Sequence, residues 1–97
     1  MTTNKILIFS HRGNNQGFNE NTLESISSVM LLPIDGIEID IRLTRDRIPV
    51  LAHDSNLKRI SGFNIPISSL TYSELTKIPA YKKYTIPKLS DALNKLN

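Results

Sequence analysis

Residues 37–44 read Ile-Glu-Ile-Asp-Ile-Arg-Leu-Thr, so Ile37, Ile39, Ile41 and Leu43 alternate strictly with Glu38, Asp40, Arg42 and Thr44. A period of two belongs to extended chain, whose side chains point alternately to opposite faces; a helix repeats every 3.6 residues and cannot carry it. The segment therefore predicts one strand with an apolar and a charged face. Thr44 to Arg47 reads as a turn, and Ile48 to Ala52 as a second strand that delivers His53 and Asp54. Pro49 suits a strand entry or edge because it has no N–H to donate. So short a connection forbids a helical crossover, and a hairpin there would bring His53 back opposite Glu38.

The remaining elements alternate around this pair. Ile6-Leu7-Ile8-Phe9 is a short apolar run suited to a buried strand, and it opens onto Ser10-His11-Arg12-Gly13. Asn21 with Glu24 reads as a capping box for a helix whose apolar stripe is Leu23, Ile26, Val29 and Met30. Pro33 would end that helix, and Asp35-Gly36 would make the next turn. Residues 55–69 read as irregular. Thr71 and Glu74 predict a second capping box and a helix to about Lys77, and residues 79–87 a loop or a short extended piece. Leu89, Ala92, Leu93 and Leu96 predict a final helix. The order indicates an α/β protein.

Composition narrows the function classes. Ninety-seven residues make one small domain, 1–97, with no linker or repeat. The absence of cysteine excludes disulfides and thiolate metal sites. No stretch approaches the ~20 apolar residues of a membrane span, and the N-terminal apolar run is too short for a signal peptide; a cytoplasmic location is expected. The net charge of +3 is spread over single and paired cations such as Lys58-Arg59 and Lys82-Lys83. That distribution argues against nucleic acid and fits a pocket for a small anion.

Chemistry concentrates at the strand ends. Glu38 and Asp40 lie at i and i+2 on a strand, so their Cα atoms are roughly 6.5 Å apart on one side. They can converge on one hard, oxygen-seeking cation such as magnesium or calcium; a solvated strand face is the alternative. His11 follows an apolar strand, where α/β folds line their ligand sites, and histidine moves protons near neutral pH. Arg12 offers a planar fork for phosphate. His53, the only other histidine, returns to the carboxylates through the hairpin. Two proton-transfer groups, a carboxylate pair and an arginine make a phosphodiester-cleaving set.

The motifs His11-Arg12-Gly13, Glu20-Asn21-Thr22-Leu23-Glu24-Ser25-Ile26, Asp35-Gly36-Ile37-Glu38-Ile39-Asp40, Leu43-Thr44-Arg45-Asp46 and Pro49-Val50-Leu51-Ala52-His53-Asp54 resemble the glycerophosphodiester phosphodiesterase family. The likeness continues through Leu57, Arg59, Leu70 to Leu75 and Ile86 to Leu89. It implies a (β/α)8 TIM-type barrel of the phosphodiesterase and phospholipase C-like kind. It also implies a divalent cation, Ca2+ or Mg2+, and hydrolysis of a small-molecule glycerophosphodiester to glycerol phosphate and an alcohol. By position, His11 and His53 would be general acid and base, Arg12 would bind phosphate, Glu38 and Asp40 would bind metal, and Glu20 and Asn21 would support them. The family has proline where this chain has Asn19 and glycine where it has Arg47. A complete barrel needs about 250 residues, and the family's third metal-binding glutamate and phosphate-binding lysine come from later strands. The expectation is thus a barrel truncated after its first strands and helices, with impaired hydrolysis and self-association through open edges. A non-catalytic metal- or phosphate-binding remnant, or a barrel completed by another chain, is the alternative.

Overall fold

The chain is described by a computed structural model covering residues 9–11, 20–29 and 36–96. Its elements are β1 (Phe9–His11), α1 (Leu23–Val29), β2 (Gly36–Glu38), β3 (Ile41–Leu43), β4 (Pro49–Leu51), α2 (Lys58–Ser61), a 3-10 turn (Ile67–Ser69), α3 (Tyr72–Leu75) and α4 (Leu89–Leu96). β1 and β2 pair in parallel, and β3 and β4 pair antiparallel. The residues expected for the start of the first strand, Met30, Pro33 and Asp35 lie outside the described residues.

The alternating segment folds as two strands instead of one. It breaks at Ile39 and Asp40, where the Asp40 N–H is taken by the Asn21 side chain (3.2 Å) and its carbonyl by the Ala52 N–H (3.0 Å). Pairing changes hand there, from parallel with β1 to antiparallel with β4. Nor is the apolar side of β3 buried: Ile41 and Leu43 are 47% and 49% exposed.

The hairpin forms as expected, with its register corrected by one residue. Thr44 and Ile48 close the turn through Thr44 N–H to Ile48 O (3.1 Å) and Ile48 N–H to Thr44 Oγ1 (2.9 Å). Three residues therefore sit in the loop, and Arg47 takes a left-handed φ of 64°. A three-residue loop ending in such a residue is a common hairpin connection, favouring glycine at that place. Counted back from this turn, Ile41 faces Leu51, and the same register sets His53 against Ile39, not Glu38.

β4 separates two cores. Val50 joins Ala52, Leu57, Ile67, Leu75, Ala80 and Ile86 on one side. Leu51 joins Ile26 and Ala92, with Leu23, Ile39 and Leu89, on the other. The extended residues before α4 run along the second edge of β4, where Leu51 N–H bonds Pro87 O (3.0 Å) and Val50 bridges Lys88.

The helix starts follow their caps. Thr71 and Glu74 form the expected box, each side chain satisfying the other's backbone N–H. In α1 the cap is displaced by one residue: Ser25 N–H bonds Thr22 Oγ1 (3.1 Å) and Thr22 N–H bonds Ser25 Oγ (3.2 Å). Asn21 is committed elsewhere. Residues 55–69 are more ordered than expected. Asn56 Oδ1 accepts from Lys58 N–H (2.8 Å) at the start of α2, and Gly62, at φ 85°, closes that helix. Among the described residues no helix is long and apolar enough to cross a membrane.

Leu75 is fully buried and Leu93 is half exposed. Leu75→Ala is therefore expected to lower the unfolding free energy by about 2–5 kcal/mol, and Leu93→Ala to change it by less than about 0.5 kcal/mol, read by urea denaturation. Arg47→Gly should stabilise the hairpin by about 0.5–1 kcal/mol, the relief of left-handed strain exceeding the entropy that glycine adds to the unfolded chain.

Candidate active site

The parallel pairing of β1 with β2 sets the backbone of His11 in register with Glu38. Arg12 lies outside the described residues. Glu38 is exposed and Asp40 partly buried. Asn21, 4% exposed with a left-handed φ of 53°, turns its carboxamide onto Asp40. Asparagine tolerates that backbone region better than most residues. Its Nδ2 donates to Asp40 Oδ2 (3.1 Å) while its Oδ1 accepts from Asp40 N–H. One amide thereby fixes both the backbone and the carboxylate of the second acidic residue.

His53 is placed from the other direction. The Ala52 N–H bond to Asp40 O stands one residue before it, and the Arg42 guanidinium donates through Nε (3.1 Å) and Nη2 (2.7 Å) to the His53 carbonyl. The ring Nδ1 lies 2.7 Å from Asp54 Oδ1. The Asp54 carboxyl is pulled down to about 2, first by its bonds to Arg59 and then by His53. An ionised Asp54 can only accept, so Nδ1 carries the proton and Nε2 of the neutral ring keeps its lone pair. That is the tautomer a general base needs.

Arg59 stands behind this pair. Its Nε donates to Asp54 Oδ2 (2.8 Å), its Nη2 to Asp54 Oδ1 (3.4 Å) and its Nη1 to Glu20 Oε1 (2.7 Å). These two acidic partners hold the guanidinium more firmly protonated than usual. Tyr81 closes the group. Burial first, then the negative charge of Glu20, pushes its phenol up, and its N–H is anchored on Ile60 O (2.7 Å) at a left-handed φ of 53°. A tyrosine held there is strained backbone beside ionisable groups, a combination that clusters at functional sites. Glu20, His53, Asp54, Arg59, Tyr81 and Tyr84 line one cleft, floored by Leu51, Ala52 and Ile86.

Of the seven residues singled out from sequence, Glu20, Asn21, Asp40 and His53 fall into one bonded neighbourhood, and Glu38 with the His11 backbone adjoins it by strand register. No group of three His, Cys, Asp or Glu side chains placed to hold a metal occurs among the described residues; Glu38 and Asp40 are the two carboxylates that the sequence spacing singled out. Two carboxylates on hard-oxygen chemistry suit magnesium or calcium, which complete their shells with water and substrate oxygens. Sequence reasoning gave no role to Arg42 or Tyr81, and none to Asp54 or Arg59 beyond family likeness. The Asp54–Arg59 spacing of five residues follows no single period; it becomes a contact only because the chain turns into α2.

A change in pH tests the arrangement. Asp54 has its folded pKa lowered below the ordinary carboxylate value of ~3.9, so the stability it contributes is complete above that value and disappears as pH falls toward 2. In urea melts the gap between wild type and Asp54→Asn should be widest near pH 5 and close towards pH 2. A gap independent of pH would remove the ion pair from the account.

The family model for glycerophosphoryl diester phosphodiesterases matches residues 11–97. Human lysophospholipase D GDPD3 is 41% identical over 81 residues, covering 84% of this chain and 24% of that protein. A glycerophosphodiester phosphodiesterase of Caldanaerobacter subterraneus is 34% identical over 80 residues, 82% of this chain and 33% of that protein. Among solved structures, the glycerophosphodiester phosphodiesterase of Thermotoga maritima aligns with a TM-score of 0.83 at 30% identity, covering 98% of this chain and 41% of its own. An Oleispira antarctica phosphodiesterase in complex with the product sn-glycerol-3-phosphate aligns with a TM-score of 0.84 at 32% identity, over 94% and 40%. The chain thus spans a quarter to a third of these curated relatives and about 40% of these TIM-barrel structures.

Proposed function

The chain belongs to the glycerophosphoryl diester phosphodiesterase family, and we propose that residues 1–97 form the N-terminal portion of a domain that hydrolyses glycerophosphodiesters to glycerol phosphate and an alcohol. The observation that carries this reading is the ionised Asp54 on His53 Nδ1 at 2.7 Å, on a strand end bonded to the backbone of Asp40. In it, His53 Nε2 takes or returns a proton at the reacting oxygen, and His11, in register with Glu38, serves as the complementary acid or base. Arg12 binds the phosphate. Glu38 and Asp40 hold Ca2+ or Mg2+, which when bound neutralises phosphate charge and orients the attacking oxygen. Asn21 holds Asp40 in place, and Glu20 acts through Arg59.

The fold supports the same assignment. A (β/α)8-type barrel presents its ligand site at strand ends, where His11, Glu38, Asp40 and His53 stand. Ile41 and Leu43 present apolar surface that suits cover by further barrel elements or by another chain. In the 97-residue chain alone that surface favours self-association, which sedimentation would register.

Titration of the chain with Ca2+ and Mg2+ tests the reading. Cation at 100 times its Kd should stabilise the fold by about 2.7 kcal/mol, and Glu38→Ala or Asp40→Ala should abolish the shift. No shift in wild type, or the same shift in both variants, would overturn it. Release of glycerol phosphate from glycerophosphocholine separates the hydrolase from a binding remnant: stabilisation without turnover favours the remnant.

A further inference from the structure

We propose that Arg59 is a positioning residue that sets the two arms of the site against each other, acting through Asp54 on His53 and through Glu20 and Asn21 on Asp40. The inference deepens the functional reading above and takes from it only which residues matter.

The contacts form a closed circuit. From His53 the path runs Nδ1 to Asp54 (2.7 Å), Asp54 to Arg59 Nε (2.8 Å), and Arg59 Nη1 to Glu20 (2.7 Å). Glu20 is peptide-bonded to Asn21, which grips Asp40 at its N–H and its Oδ2. The Ala52 N–H to Asp40 O bond (3.0 Å), one residue before His53, closes the ring. Each arm is a loop residue beside a strand or helix end. Arg59 adds a side-chain crosslink to the backbone tie between them, bonding Asp54 on one arm and Glu20 on the other.

The chemistry calls for arginine. A guanidinium presents five N–H donors in a rigid plane, so one side chain can engage two carboxylates in fixed directions. Two donors on Asp54 stop that carboxyl from rotating, which keeps Oδ1 on the imidazole and the imidazole in one tautomer. A third donor on Glu20 carries the constraint to the segment leading into α1. Lysine places a point charge there and cannot hold both directions. Glu20 is largely shielded (15% exposed) while Arg59 is half exposed, so the clamp faces the cleft and its far side faces solvent. Tyr81 lines the same cleft.

Isotope-labelled 97-residue chain tests this by NMR with Arg59→Met, Arg59→Lys and Glu20→Ala. In Arg59→Met the Asp54 carboxyl should titrate at least about one pH unit higher, and the His53 ring nitrogens should show a tautomer mixture where wild type shows Nδ1–H alone. Arg59→Lys should recover part of the Asp54 shift without restoring the single tautomer. Glu20→Ala, which leaves the Asp54 arm intact, should keep the His53 signature and speed exchange of the Asn21 side-chain amide about tenfold. A role confined to stability would lower the melting temperature and leave the ring and amide signals of the folded chain unchanged. That result, in Arg59→Met or, should that variant not fold, in Arg59→Lys and Glu20→Ala, overturns the proposal. A wild-type chain that neither binds cation nor turns over substrate would sink the functional reading alone, since the ring and amide signals depend on neither.

Discussion

Val50 and Leu51 are neighbours in the chain and buried in different cores, and the placement of nearly every other described element can be traced to that division. A strand exposes successive side chains on opposite faces, so three residues of β4 suffice to attach α2, the 3-10 turn, α3 and the Ala80 to Ile86 segment on one side, and α1 and α4 on the other. Both edges of β4 are also occupied, by β3 and by the residues entering α4. His53 follows directly from this strand. Its backbone is held by a strand paired on both edges, while its ring remains half exposed.

Polar contacts are distributed according to that scaffold. Away from the cleft, the hairpin tip is tied to α3: Asp46 accepts from Thr44 Oγ1 and Tyr72 N–H, and Arg45 reaches Glu74 at 3.1 Å. The last pair is solvent-exposed and contributes little by itself; its neighbours at the cap give it direction. Around the cleft the ionised groups are shared between elements distant in sequence. Glu20 and Asp54 meet on one guanidinium, and burial of Asn21 is made tolerable because Asp40 satisfies both ends of its amide. Partial shielding strengthens these bonds relative to open water while leaving room for a ligand.

Much of the architecture was legible because it rests on local signals. The alternation from Ile37 to Leu43 and the turn after Thr44 announced a hairpin, Thr71 and Glu74 announced a cap, and the spacing of Leu89 and Ala92 announced the last helix; each appears. Where local signals competed, the reading slipped by one residue. Asn21 and Thr22 are both good caps, and the choice fell to Thr22 because a contact with Asp40, remote in sequence, claims Asn21. The turn could close at Arg47 or Ile48, and the Thr44 hydroxyl, by accepting from Ile48 N–H, selected the longer loop and shifted His53 from Glu38 to Ile39. Sequence pattern alone could not split the alternating segment, since a period of two persists whether a strand has one partner or two.

The amino-acid sequence by itself determined the class of the fold, the family, and the residue types available for chemistry: two histidines, paired carboxylates and no thiol. These follow from spacing along the chain, which needs no knowledge of neighbours. Tertiary structure decided which of those residues meet. Arg59 bridges Asp54 and Glu20, and Asn21 bonds Asp40 instead of capping α1, because folding brings distant segments within the ~3 Å reach of a hydrogen bond, a distance that no linear pattern records.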